Sequence, residues 1–155
     1  GGFRKMRAVV QRVLSASVSA GSRRRSEIAG GLLVLLGVAP GDTLAEAEWM
    51  SRKLVHLRIF DDDTGRMNRS VHDTGGEMLL VSQFTLYGDA SRGNRPGFSG
   101  SADFETARPL YESVVRLTGQ ELGRPVSTGW YGESMQVALV NNGPVTLILD
   151  TPRRP

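Results

Sequence analysis

Leu79-Leu80-Val81-Ser82-Gln83-Phe84-Thr85-Leu86 begins as an apolar strand, then sets a hydroxyl, an amide, an aromatic ring and a second hydroxyl side by side. Each buried polar group needs a partner once water is excluded. The cluster therefore fits a strand end, where side chains and freed backbone N–H groups face a ligand. A strand running into a polar turn has the same composition, so the stretch alone admits both readings.

Upstream, Arg7 to Leu14 is rich in Val, and Ser15 to Ala20 alternates small polar and apolar residues. Gly21-Ser22-Arg23 interrupts the pattern as a turn does. Ile28 to Val38 is a nearly continuous apolar run punctuated by Gly30, Gly31 and Gly37. These segments predict strands, the last buried on both faces. After Ala39-Pro40-Gly41-Asp42 a helix is expected. Thr43 with Glu46 fits a capping box. Ala47, Met50, Leu54 and Leu57 recur at helical spacing. Arg52, Lys53 and Arg58 lie toward its end, where the helix dipole favours cations. His56 beside this face reads as a packed or half-exposed histidine and not as a ligand.

Asp61-Asp62-Asp63-Thr64-Gly65 resembles a calcium loop but has its glycine one place early and His72 where a bidentate Glu is required. A polar turn is the better reading, and the stretch to Gly76 reads as loop with room for a short hairpin. Gly88 to Ser101 is a long polar loop carrying Arg92, Asn94, Arg95 and Phe98. It reads equally as a phosphate-holding loop with a stacking aromatic or as a plain surface loop. Asp103 to Leu122 predicts a second helix with Phe104, Ala107, Tyr111, Val114 and Val115 on one face. Pro109 either kinks it or marks a later start. Gly123 to Gly132 reads as loop. Met135 to Val140 and Val145 to Leu149 predict two more strands, joined by a turn at Asn141-Asn142-Gly143-Pro144. Strands at both ends and two helices between them predict an α+β fold, with the helices covering a curved sheet.

The 155 residues fit one domain with a sizeable core. Gly1 to Lys5 precede a natural start at Met6 and read as an extension, 6–150 as the domain and 151–155 as a tail. There are no cysteines, which excludes disulfides and thiolate metal sites. No apolar run reaches membrane-spanning length and no signal-peptide pattern opens the chain, so a cytoplasmic protein is expected. The formal charge of +3 permits RNA as a partner without demanding it. Much of the excess sits in Arg23-Arg24-Arg25 and Arg153-Arg154, which read as solvated turn and tail. No Walker loop, His-Glu-x-x-His pair or Gly-x-Ser-x-Gly elbow is present. The two histidines, His56 and His72, stand in no metal-ligand spacing. No metal and no cofactor is expected.

Ser82-Gln83-Phe84-Thr85 and Asn141-Asn142-Gly143-Pro144-Val145-Thr146 together resemble the two motifs of the D-aminoacyl-tRNA deacylase (D-tyrosyl-tRNA(Tyr) deacylase) family. Val9-Val10-Gln11-Arg12-Val13, Gly31 to Gly37, Leu57-Arg58-Ile59-Phe60 and Met135-Gln136-Val137 follow in the family's order, so the resemblance runs from Met6 to about Asp150. Asn142 stands where Asp is usual, Gly97 where Ser is common and Tyr131 where Phe is usual.

The resemblance implies a β-barrel-like core with two main helices packed on it, and a homodimer with active sites at the subunit interface. It implies hydrolysis of the ester joining a D-amino acid to the terminal adenosine of tRNA, with glycyl-tRNA also accepted. Thr85 is the nucleophile by position, but its motif supplies no base to take its proton. The favoured mechanism is a backbone oxyanion site formed by the N–H groups of Phe84 and Thr85, with the adenosine 2′-hydroxyl helping to activate water. Ser82 and Gln83 position the adenosine. Phe84 packs either on the nucleoside or in the core. The family's Gly143-Pro144 is cis and reaches into the partner's site, where its carbonyls bind the amino group and exclude an L side chain. Arg12 either holds those carbonyls or is a surface arginine. A non-catalytic RNA-binding module and a general esterase on the same fold are the competing readings.

Overall fold

The computed structural model describes residues 5–152, so the expectations for residues 1–4 and for Arg153-Arg154 lie outside the described residues. Its chain order is β1 (Arg7–Ala20), β2 (Arg24–Ile28), β3 (Gly31–Gly37), α1 (Leu44–His56), β4 (Phe60–Asp61), β5 (Met67–Arg69), α2 (Val71–Thr74), β6 (Glu77–Ser82), a 3-10 helix (Phe84–Tyr87), α3 (Phe104–Leu122), β7 (Ser127–Thr128) and β8 (Gln136–Asp150). This is the expected α+β architecture: a curled, nearly closed barrel-like sheet with helices against it.

The long strand β1 organises the sheet. It pairs antiparallel with β2, β3 and β8, while β6 joins β3 and β7 joins β6 in parallel. Strand β3 is buried on both faces, as its uninterrupted apolar run predicts. Leu32, Val34, Leu36, Met78 and Leu80 pack under α1 and α3 with Met50, Leu54 and Val114. Leu33, Leu79 and Val81 face the other way, onto Val13, Val18 and Ile28. Strand β6 thus carries the first motif out of a core that is apolar on both sides, and that is why its polar residues begin where the strand ends.

Arg7 to Leu14 and Ser15 to Ala20 form one strand, with a bulge at Leu14. Val13 to Ser15 spans two steps of β1 but only one step, Asn141 to Val140, of β8. The extra residue exchanges the faces. Ala8 and Val10 lie in the helix-covered core, whereas Ala16 and Val18 lie in the opposite one. Met135 to Val140 and Val145 to Leu149 are likewise one strand, β8, and the expected turn between them is a larger irregularity. Gln11 opposes Thr146 and Val13 opposes Asn141, so five steps of β8 match two of β1. Backbone pairing resumes on both sides, which keeps the segment a strand.

The capping box at α1 forms: the Glu46 carboxylate accepts from the Thr43 N–H at 2.6 Å and from its hydroxyl at 2.7 Å. Helix α3 starts at its Asp103 cap and runs through Pro109. The carbonyl that Pro109 cannot serve belongs to exposed Glu105, where water reaches it. Asp62 accepts from Thr64 and Arg66 and closes the β4–β5 hairpin, the polar turn expected there. His56 is exposed and paired with Glu121 at 2.7 Å. Among the described residues no helix is long and apolar enough to cross a membrane, and no group of acidic or histidine side chains is arranged to hold a metal ion.

Candidate active site

Beyond Ser82 the chain leaves the sheet and turns at once into the 3-10 helix. The Gln83 N–H still donates to the Leu36 carbonyl at 2.8 Å, so the exit is tied to β3. Tyr87 fixes the far end. Its buried hydroxyl lies 2.6 Å from the Lys5 carbonyl and 2.9 Å from that of Gly37. Gly37 makes this fit possible: a Cβ there would stand 2.7 Å from the Tyr87 ring and 3.2 Å from the Gln83 carbonyl. Arg7 adds a third tie. It pairs with Asp150 at 2.8 Å and donates to the Leu86 carbonyl at 3.4 Å.

A 3-10 helix bonds each N–H to the carbonyl three residues back, so its first donors have no acceptor within it. Here those donors are the N–H groups of Phe84 and Thr85, which have no side-chain partner among the described residues. Of the two residues Phe84 borders a cavity of about 130 Å³ at the end of β6, together with Ser82, Gln83, Phe104, Tyr111 and Tyr131, and Thr85 follows it in the helix. Leu36, Val38, Ala102 and Met135 make much of its surface apolar.

Phe84 belongs to the rim and not to the core, at 40 % exposure. It stands edge-on to Phe98 and to Phe104, each with ring centroids 5.4 Å away. Phe104 continues to Tyr131 at 6.2 Å, and Tyr131 to Tyr111 at 5.6 Å. Four of these rings, Phe84, Phe104, Tyr131 and Tyr111, border the cavity, and Phe98 packs against the outer one. The loop residue Phe98 takes part through this packing. Phe104, Tyr111, Tyr131 and Glu133 were not among the residues expected from the motifs. The pair Phe104 and Tyr111, two helical turns apart at the start of α3, was the available signal, but it reads equally as the buried face of a helix.

The acid–base chemistry of the site is sparse. Gln83 Nε2 donates to Thr85 Oγ1, and no histidine, lysine or carboxylate bonds that hydroxyl among the described residues. Burial pushes the Tyr111 phenol above its usual range, and it donates to the Leu80 carbonyl at 3.0 Å. Burial raises the Tyr131 phenol too, and it donates to the Phe104 carbonyl at 2.7 Å. Glu133 accepts from Arg24, which holds its carboxyl below the ordinary range. Each titratable group bordering the cavity is thus already engaged.

Gly143 and Pro144 lie elsewhere. Their peptide bond is cis, as the resemblance implied. Arg12 is 8 % exposed, which excludes the surface reading. Its Nε donates to the Asn142 carbonyl at 2.8 Å and its Nη1 to the Ile59 carbonyl at 2.8 Å. Asn141 braces the other side: its Oδ1 accepts from the Val145 N–H at 2.7 Å, and its Nδ2 donates to the Val145 carbonyl at 3.1 Å. Ser82 opposes Leu36, whereas Arg12 opposes Leu32 two strands away. Four residues along and three strand spacings across put the two motifs of one chain roughly 20 Å apart over the sheet. One chain does not bring them together.

The chain matches the family model of D-Tyr-tRNA(Tyr) deacylase over residues 9–150. It is 80 % identical to a D-aminoacyl-tRNA deacylase of Chlorobium limicola over 96 % of this chain and 99 % of that protein. It is 64 % identical to one of Chlorobium phaeobacteroides, with the same coverage. The solved structure of the c-Myc DNA unwinding element binding protein superposes with a TM-score of 0.87 at 40 % identity, covering 95 % of this chain and 99 % of that one. A probable eukaryotic D-amino acid tRNA deacylase shares the fold, with a TM-score of 0.85 at 14 % identity over 95 % of this chain and all of the other. Matched from residue 9 to residue 150, and across nearly the whole length of its relatives, the chain belongs to the D-Tyr-tRNA(Tyr) deacylase family.

Proposed function

We propose that the protein hydrolyses the ester between a D-amino acid and the terminal adenosine of tRNA, and so clears mischarged tRNA from translation. The observation that carries this reading is a 3-10 helix that leaves its first N–H groups, at Phe84 and Thr85, without an acceptor and whose first residue, Phe84, lines an aromatic-bordered cavity. The cavity takes the adenosine, with its base against the aromatic row. The ester carbonyl then lies at the N–H pair. Water adds to the carbonyl carbon, and the oxyanion that forms is stabilised by donors already in place. Collapse of this intermediate expels the ribose oxygen, which takes up a proton. Because the bordering titratable groups are all engaged, the adenosine's own 2′-hydroxyl relays the proton from water. The tRNA substrate places the reaction in the cytoplasm.

Each cavity is completed by a second copy. The Gly143-Pro144 carbonyls lie too far from the Phe84 and Thr85 N–H groups of their own chain to serve one substrate. Leu14, Val137, Val140 and Ile148 leave apolar surface exposed along the β1–β8 pair, the kind of surface that association covers. In the homodimer the carbonyls accept from the substrate ammonium and occupy the space of an L side chain. Glycine, lacking a side chain, is accepted as well.

The test is hydrolysis of matched D- and L-tyrosyl-tRNA and of glycyl-tRNA. Turnover of the D and glycyl esters with the L ester spared is expected. Absence of turnover would favour a non-catalytic RNA-binding module, and equal turnover of both enantiomers a general esterase.

A further inference from the structure

Within the basic cluster Arg23-Arg24-Arg25, Arg24 departs from the solvated-turn reading. Arg25 pairs with Glu27 on its own strand at 2.9 Å. Arg24 instead crosses to the segment that walls the cavity. Its Nη1 donates to Glu133 Oε2 at 2.6 Å and its Nη2 to Glu133 Oε1, a two-pronged match of guanidinium to carboxylate. The same guanidinium lies 5.4 Å from the centroid of the Trp130 ring. Glu133 borders the cavity together with Tyr131, Gly132 and Met135, and it is the one carboxylate among the described residues that does so.

An unpaired carboxylate at this place would face the ligand's charge. The terminal adenosine arrives on a phosphate chain, so a bare Glu133 would repel it. Both partners are substantially exposed, at 47 % and 41 % of their side chains, so the pair adds little to fold stability. Its consequence is for the field at the cavity mouth, where charge governs the approach of an anion.

We propose that Arg24 is an electrostatic positioning residue: it neutralises Glu133 at the cavity rim and so admits the phosphate-bearing end of the substrate. This rests on the reading that the cavity takes the terminal adenosine. Arg24 touches none of the reacting groups, so its effect falls on binding and not on the chemical step.

The experiment compares wild type, Arg24→Ala, Glu133→Gln and the double variant. The readouts are kinetics on D-tyrosyl-tRNA and calorimetric binding of adenosine 5′-monophosphate, with folding checked by thermal unfolding. Arg24→Ala should raise KM about three- to tenfold at nearly constant kcat, and weaken nucleotide binding in parallel. Glu133→Gln alone leaves the Arg24 cation unpaired and should lower KM, and the double variant, neutral like the wild-type pair, should return to within about twofold of wild type. An unchanged KM in Arg24→Ala would overturn the proposal. So would a defect that persists in the double variant, because Arg24 would then contact phosphate directly. A wild type that binds no nucleotide and hydrolyses no ester would overturn the assignment of the cavity, and this proposal with it.

Discussion

Arg12→Met tests what holds the Gly143-Pro144 segment in place. The substitution keeps an unbranched apolar stem and removes the guanidinium. Two bonds of 2.8 Å disappear, to the carbonyls of Ile59 and Asn142. Ile59 is 5 % exposed, so its carbonyl is left without a donor, a loss of about 1–3 kcal/mol. The Asn142 carbonyl is partly accessible and recovers water, so it contributes less. The contact to Asp61 at 3.5 Å is to a side chain 55 % exposed and adds almost nothing. Relief of the guanidinium's own burial offsets part of the loss. The net destabilisation is about 1–3 kcal/mol, read as a lower urea midpoint at constant slope. The same loss unties Asn142, the residue before Gly143-Pro144, and on the proposed reading that loosens the obstacle to an L side chain. The ratio of D- to L-tyrosyl-tRNA hydrolysis should therefore fall at least about tenfold, or 1.4 kcal/mol of discrimination. Stability within about 0.5 kcal/mol of wild type would refute the anchoring argument. A folded, destabilised variant with an unchanged ratio would show that chirality is read elsewhere.

Three further outcomes are expected. Thr85→Ala should lose less than about tenfold in kcat, because no base serves the hydroxyl; a loss of several orders of magnitude in a folded variant would restore a threonine nucleophile. Activity per chain should fall on dilution through the dimer dissociation range, and full activity in a monomer verified by sedimentation would contradict completion of the site by a second copy. Asp42 is pushed up to about 6, mainly by burial and against the N–H groups of Ala39 and Met6 that it accepts from. Its folded-state value lies above the unfolded one, so its stabilisation is complete below about pH 4 and lost as pH rises through about 6. Urea midpoints from pH 4 to 7.5 should therefore decline more for wild type than for Asp42→Asn, and parallel profiles would refute this.

The fold was legible wherever side-chain pattern and burial coincide. The uninterrupted run of β3 announced a strand covered on both faces, and Thr43 with Glu46 announced the start of α1. Both follow from local chemistry. The misreadings were failures of continuity. Asn141-Asn142-Gly143-Pro144 has the composition of a turn, and in isolation it would be one. Pairing with β1 on both sides carries the strand through it, and pairing is a long-range property that no window of sequence contains. Leu14 shows the same limit: its bulge exchanges the faces of β1, yet the residues around it read as ordinary alternation.

The candidate site was half legible for a different reason. Acid–base or nucleophilic catalysis by side chains leaves titratable residues in recognisable spacing. A site built from backbone N–H groups and carbonyls leaves none, because every residue carries them. What it does leave is a demand for missing atoms. Gly37 must lack a Cβ for Tyr87 to pin the 3-10 helix. At Gly143, with φ at +144°, a Cβ would stand 2.7 Å from the Val145 side chain and 3.3 Å from Arg12 Nη2. One glycine therefore lets Tyr87 pack against the start of the 3-10 helix, and the other lets Arg12 and Val145 close on the cis peptide. Side chains then enter as supports: Arg12 on the Asn142 carbonyl, Gln83 on the Thr85 hydroxyl, and the aromatic row as the wall. Such supports have the composition of ordinary strand ends and helix faces, so geometry was needed to separate them from the core.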